Sequence, residues 1–199
     1  MSTVPRLIGV MLISILIATA SLARVQETPT PDPASASVLL LPDASALGPE
    51  WTRVKTLSVE QLSWGMTVAP DVFREGAVGV YGGPNGARVV AVTLLLTDTR
   101  VAVRRGWENA TQLFTSYGYQ LDYDYDQMGL WDALPPPAGC AEAKRFEGVA
   151  RDFGFPTGIT LCAADPDLIV VAVASGLVDD RTGYEGSDAV VEAVIAGRG

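Results

Sequence analysis

The chain has 199 residues, with 14 basic and 23 acidic side chains, a formal net charge of −9 and no histidine. The absence of histidine excludes Ser-His-Asp and Cys-His nucleophiles and histidine-ligated zinc. No basic cluster is larger than Arg104-Arg105. We therefore expect no nucleic-acid partner and no anionic-lipid surface as a partner, because both are bound mainly by basic patches.

An apolar run near the N-terminus predicts export from the cytoplasm. Residues 7–20 read LIGVMLISILIATA and follow a single basic residue, Arg6. Ser21 and Ala23 then lie at positions −3 and −1 of a signal-peptidase site. The run is shorter than the ~20 residues that span a bilayer, which favours cleavage, and an uncleaved, tilted anchor over residues 7–23 is the alternative. The predicted location is extracytoplasmic: secreted, or attached to the membrane through residues 7–23 only.

The composition divides the chain into three parts. Residues 1–23 are the signal peptide or anchor, and residues 24–37 are a flexible linker with alternate prolines at 29, 31 and 33. Residues 38–199 are predicted to form a single domain. At its start, the apolar residues 38–41 and the turn-rich residues 42–51 predict a docked segment anchored by Leu47 and Trp51.

The next segments predict a hairpin between two helices. The S-x-x-Q pattern that begins at Ser58 predicts a short helix. Residues 76–81 and 88–97 are Val- and Leu-rich strands, and Asn85-Gly86 supplies the positive φ angles of a tight turn between them. Residues 98–117 carry apolar side chains at steps of three and four, which predicts the longest amphipathic helix.

Residues 119–126 (YQLDYDYD) alternate strictly, which predicts a strand with tyrosines on one face and carboxylates on the other. The carboxylates that share this face are Asp122, Asp124 and Asp126. They form a weak candidate calcium site, because a cation would relieve their mutual repulsion. The glycine and the bidentate glutamate of an EF-hand loop are both missing, so a solvated strand face without metal is the favoured interpretation.

The C-terminal third predicts three more strands and a helix. The strands are residues 144–153, 159–164 and 168–175, joined by turns at 156–158 and 165–167. The helix is predicted to have Ser187 as its N-cap and Gly197 at its end, with a stripe of Val190, Val191, Val194 and Ile195 between them. Together the elements indicate an α+β fold, an antiparallel sheet of about five to six strands with two main helices packed on one face.

Cys140 and Cys162 are the only cysteines, and an even number in an exported chain predicts one disulfide between them. Trp131 precedes the triple proline of residues 135–137, and it is the one residue that we single out for possible ligand contact.

No catalytic or cofactor motif is present, so we expect no cofactor and no enzymatic activity. The predicted function is a non-enzymatic exported or membrane-tethered domain that binds a small ligand or an envelope protein. The alternative is a carboxylate-based hydrolase that acts outside the cytoplasm. A pair of carboxylates is the machinery that a chain without histidine retains.

Overall fold

The computed structural model describes residues 35–58, 73–97, 121–122, 134–150, 156–164 and 167–198. These residues form one antiparallel sheet with strand order β1-β2-β3-β7-β6-β5-β4. The strands are β1 (Thr52–Ser58), β2 (Phe73–Gly82), β3 (Arg88–Leu96), β4 (Leu121–Asp122), β5 (Glu142–Ala150), β6 (Pro156–Ala164) and β7 (Leu168–Ser175). The helices are α1 (Ala36–Leu39) and α2 (Gly183–Ala196), and 3-10 turns cover Ala44–Leu47 and Pro84–Gly86.

The hairpin between β2 and β3 is confirmed. Asn85 and Gly86 have φ angles of 54° and 84°, and they let the chain reverse tightly. Val90 then pairs with Val80, and Val92 with Val78. The turn residues therefore determine the register of this half of the sheet.

The three central strands, β3, β7 and β6, are buried on both faces. Leu94 and Leu95 are adjacent in β3 and point to opposite faces, yet both are buried, and so are Ile169 and Val170 in β7. This double burial explains why the strands read as continuous apolar runs instead of alternating ones. One of the two faces packs against α2 through the predicted stripe, in which Val190, Val191 and Val194 are fully buried and Ile195 is partly buried.

The predicted fold class is wrong in its helices. Within the described ranges, a single long helix, α2, packs on the sheet, and α1 is one turn of four residues. The second helix was predicted over residues 98–117, which lie outside the described residues. On the α2 side of the sheet, the N-terminal segment packs over β2 and β3 instead. Periodicity indicates that a segment can be helical, but it does not specify which surface the helix covers.

Smaller predictions also need correction. Residues 156–158 are the start of β6 and not a turn, since proline is tolerated as the first residue of a strand. Ser187 is not the N-cap, because α2 begins at Gly183 and its N-cap is Thr182, whereas Gly197 is confirmed as the C-cap. Of the predicted strand over residues 119–126, only β4 is described. The helix predicted after Ser58 falls outside the described residues, and Ser58 itself ends β1.

The docked N-terminal segment is confirmed. Leu47 and Trp51 are buried in the main core, as predicted. Polar contacts add to this packing: Glu75 accepts hydrogen bonds from the backbone N and the Oγ of Ser37, at 2.8 and 2.7 Å. The Tyr81 hydroxyl donates to the Pro42 carbonyl at 2.8 Å, and burial raises the pKa of Tyr81 to about 12, so this donor stays protonated. No helix in the described ranges is long and apolar enough to cross a bilayer.

Candidate functional site in a buried arginine cluster

Strands β5 and β6 and helix α2 bring four buried polar side chains together at one end of an apolar core. Arg145 and Thr160 are directly opposite each other in the β5–β6 pairing. Ser187 and Asp188 approach them from α2. Arg145 is 4% exposed and Asp188 9% exposed, so both charges are almost completely removed from water. Such burial is costly unless the charges are paired and hydrogen-bonded.

The carboxylate of Asp188 neutralises Arg145. The Nε of Arg145 donates to Oδ1 and Oδ2 of Asp188 at 3.0 and 2.8 Å, and the Oγ1 of Thr160 donates to Oδ1 at 2.6 Å. The Oγ of Ser187 lies 2.7 Å from Thr160 Oγ1 and 3.0 Å from the carbonyl of Tyr184. Because Thr160 uses its hydrogen on Asp188, the single Ser187 hydrogen serves one of these two neighbours.

The outer edge of the guanidinium is only half satisfied. Nη2 donates to the carbonyl oxygen of Pro135 at 2.9 Å. Nη1 is the one buried side-chain nitrogen or oxygen in the described part of the chain that has no hydrogen-bond partner. A buried donor without a partner costs about 1 to 3 kcal/mol, and in a native protein it calls for an explanation such as a water or a ligand.

Tyr184 and Glu147 complete the cluster at the start of α2. The Tyr184 ring centroid lies 5.9 Å from the Cζ of Arg145, within the range of a cation–π contact. The Oε2 of Glu147 accepts a hydrogen bond from the Tyr184 backbone N at 3.0 Å, so this carboxylate caps the helix.

Two glycines allow the start of α2 to approach the sheet this closely. A Cβ on Gly158 would lie 1.9 Å from the carbonyl oxygen of Gly183, and a Cβ on Gly183 would lie 2.2 Å from Glu147 Oε2. Gly183 also has a φ of 60°, in the left-handed region that favours glycine. A side chain at position 158 would have to displace the helix backbone, whereas one at position 183 would displace the Glu147 carboxylate and strain its own backbone.

The surroundings change the protonation equilibria of two of these groups. Burial raises the pKa of Asp188, although hydrogen bonds from Thr160 and the charge of Arg145 act in the opposite direction. Burial also raises the pKa of Tyr184, and the nearby charges of Glu185 and Glu147 add to the effect. The Tyr184 hydroxyl therefore stays neutral at physiological pH.

The predicted disulfide is confirmed, and it ties down the loop that contacts Arg145. Cys140 and Cys162 are bonded at an S–S distance of 2.11 Å, 22 residues apart. Cys162 lies in β6, and Cys140 ends the loop that contains Pro135. A disulfide is in agreement with an extracytoplasmic location, where thiols are oxidised.

The residues singled out from the sequence are not those that form this cluster. Of the candidate calcium ligands, Asp122 is described only as backbone in β4, and Asp124 and Asp126 lie outside the described residues, as does Trp131. No group of three or more Asp, Glu or Cys side chains in the described ranges is arranged to hold a metal ion. One signal for the cluster was present: Arg145 and Glu147 are two residues apart in a strand and so share one face.

Comparison of the chain with protein-family models, with curated proteins and with solved structures finds no match.

Proposed function

We propose that this chain is an exported or membrane-tethered, non-enzymatic domain that binds its ligand or envelope partner at the Arg145 cluster. The observation that carries the proposal is the guanidinium of Arg145, which is held rigidly by Asp188 and keeps one hydrogen-bond donor unused. Rigid donors beneath a surface loop are typical of binding sites, in which a few placed polar groups give specificity.

The hydrogen bonds of the cluster favour binding over hydrolysis. A hydrolase with two carboxylates needs both of them free to reach the substrate and a water molecule. In this cluster Asp188 accepts from Arg145 and Thr160, and Glu147 accepts from the backbone of Tyr184. Both carboxylates therefore already serve the fold. The raised pKa of Asp188 is the one feature that suits a general acid, and it supports the hydrolase as the second candidate.

Export is supported by the disulfide, because such bonds persist where thiols are oxidised. Hydrogen bonds join Ser37 to Glu75 and Pro42 to Tyr81, so Ser37, the last residue of the predicted flexible linker over residues 24–37, is held by the folded domain. Mass spectrometry of the mature N-terminus separates cleavage near Arg24 from a retained anchor.

A site-specific photocrosslinker tests the binding function in cells of the native host. We place it at Pro136, which is exposed in the loop above Arg145, and at Lys55, which is exposed in the edge strand β1, as the matched control. We expect a discrete adduct at position 136 only, with a second protein or a defined added mass, formed outside the cytoplasm. No adduct at 136, equal adducts at both positions, or an adduct formed in the cytoplasm would contradict the proposal.

A further inference from the structure

We infer that the outer edge of the Arg145 guanidinium, now bonded to Pro135, is a receptor for the backbone carbonyls of a proline-rich peptide segment that displaces the loop of residues 134–137. This inference rests on the proposed function and names the chemistry of its ligand.

The hydrogen bonds of Arg145 favour replacement of the Pro135 carbonyl by the carbonyls of an incoming peptide. In the resting structure Nη2 has one carbonyl partner, Pro135, and Nη1 has none. An incoming segment that offers two carbonyl oxygens would replace the first bond and add the missing one. The bound state then satisfies a donor that the free state leaves unsatisfied, and this difference favours binding.

The charges around Arg145 favour a neutral acceptor over an anion. Asp188 already neutralises the guanidinium at 2.8 Å. Glu147 contributes a second negative charge beside Tyr184, and Glu185 lies next to that tyrosine in the chain. A further carboxylate or phosphate would be repelled by these groups, whereas a peptide carbonyl brings no charge. Among the described residues, the acceptor that the outer edge holds is itself a carbonyl, that of Pro135.

The segment that occupies the site in the resting structure indicates the conformation of the ligand. It is Leu134-Pro135-Pro136-Pro137, and runs of proline favour the polyproline II helix, whose carbonyls form no internal hydrogen bonds. Domains that bind such helices pair aromatic rings with hydrogen-bond donors. Tyr184, half-buried and beside Arg145, supplies the ring.

Among residues 134–140, the packing contacts and the disulfide that anchor the loop lie at its C-terminal end. Pro137 is buried, Gly139 packs against Ile195, and Cys140 is held by the disulfide. Residues 134–136 are exposed, although the Pro135 carbonyl bonds a buried arginine. Residues 134–136 can therefore be displaced from Arg145 while residues 137–140 stay in place.

The test uses the mature exported protein labelled with 15N and the capped peptide Ac-Leu-Pro-Pro-Pro-NH2. Side-chain N–H signals of Arg145 are assigned by their loss in Arg145→Lys. We expect the peptide to shift these signals saturably, and we expect Ac-Leu-Ala-Ala-Ala-NH2 and acetate to leave them unchanged. If Arg145→Lys does not fold, Tyr184→Leu, which keeps the guanidinium, is expected to weaken peptide binding severalfold.

A loosened loop should compete less well with the peptide. Pro136→Gly increases the freedom of the free loop, so we expect peptide affinity to rise by roughly two- to fivefold. Pro49→Gly, at an exposed proline in the N-terminal segment, is the control and should leave the affinity unchanged. Unmoved Arg145 signals, equal shifts with acetate, or no effect of Pro136→Gly would each overturn the inference. A crosslinked adduct at position 136 without peptide binding would refute this ligand and leave the proposed binding function standing.

Discussion

Removing one member of the buried ion pair should lower the free energy of unfolding far more than removing both members. Arg145→Met leaves Asp188 almost fully buried without its cation, and Asp188→Leu leaves the guanidinium without its anion. Each single change should cost about 3 to 5 kcal/mol of unfolding free energy. The double variant leaves no buried charge in the pair and also removes the unsatisfied Nη1. We expect it to lie within about 1 kcal/mol of the parent, or to be more stable.

Urea unfolding, followed by circular dichroism with the disulfide intact, measures these free energies. Because each single change should cost about 3 kcal/mol or more and the double change at most about 1 kcal/mol, the coupling between them should be at least about 5 kcal/mol. The matched control is Arg181 with Glu192, an ion pair at 3.0 Å whose side chains are about one-third exposed. Arg181→Met should cost no more than about 1 kcal/mol, because solvent screens an exposed pair. The reasoning would be refuted if the single changes at the buried pair cost as little as Arg181→Met. It would also be refuted if the double variant lost as much unfolding free energy as the two single variants added together.

Three further outcomes follow from the described contacts. Gly158→Ala should lower the unfolding free energy by about 3 kcal/mol, because its Cβ would meet the Gly183 carbonyl. Gly86→Ala is the control: its Cβ would lie in open space, so it should lower the unfolding free energy by only about 1 kcal/mol. Thermal melts of the two variants compare these losses. Burial alone would raise the pKa of Glu75, but hydrogen bonds from Ser37 and Ser35 and the charge of Arg74 together lower it. The stability that Glu75 contributes is therefore fully present above the pKa of this residue in the unfolded chain, and it is lost as the pH falls through its pKa in the folded protein. In thermal melts at a series of pH values, Glu75→Gln should not show this loss of stability in acid. Reduction of the disulfide should cost about 3 kcal/mol of unfolding free energy, measured in urea with and without reductant, and an unchanged midpoint would contradict it.

Several features were predictable because neighbouring residues determine them. Asn85-Gly86 specifies a hairpin through its own backbone angles, and the valine stripe of α2 specifies which face of that helix is buried. The disulfide was predictable for a different reason: with only two cysteines, one intramolecular pairing exists. The anchoring of Leu47 and Trp51 also followed, because large apolar side chains in a turn-rich segment need a core to cover them.

The candidate site was not predictable in this way, because its contacts join distant parts of the chain. Arg145 and Asp188 are 43 residues apart, and they meet because β5 pairs with β6 in one particular register and α2 packs on β6 and β7 beside β5. The same register places Gly158 under Gly183, where only glycine fits. Sequence by itself determined the disulfide and the local elements that the structure describes, such as the Asn85-Gly86 hairpin, and it predicts export. The tertiary structure alone decided the helix packing and the arginine cluster, because these depend on strand order and register, which no local pattern encodes.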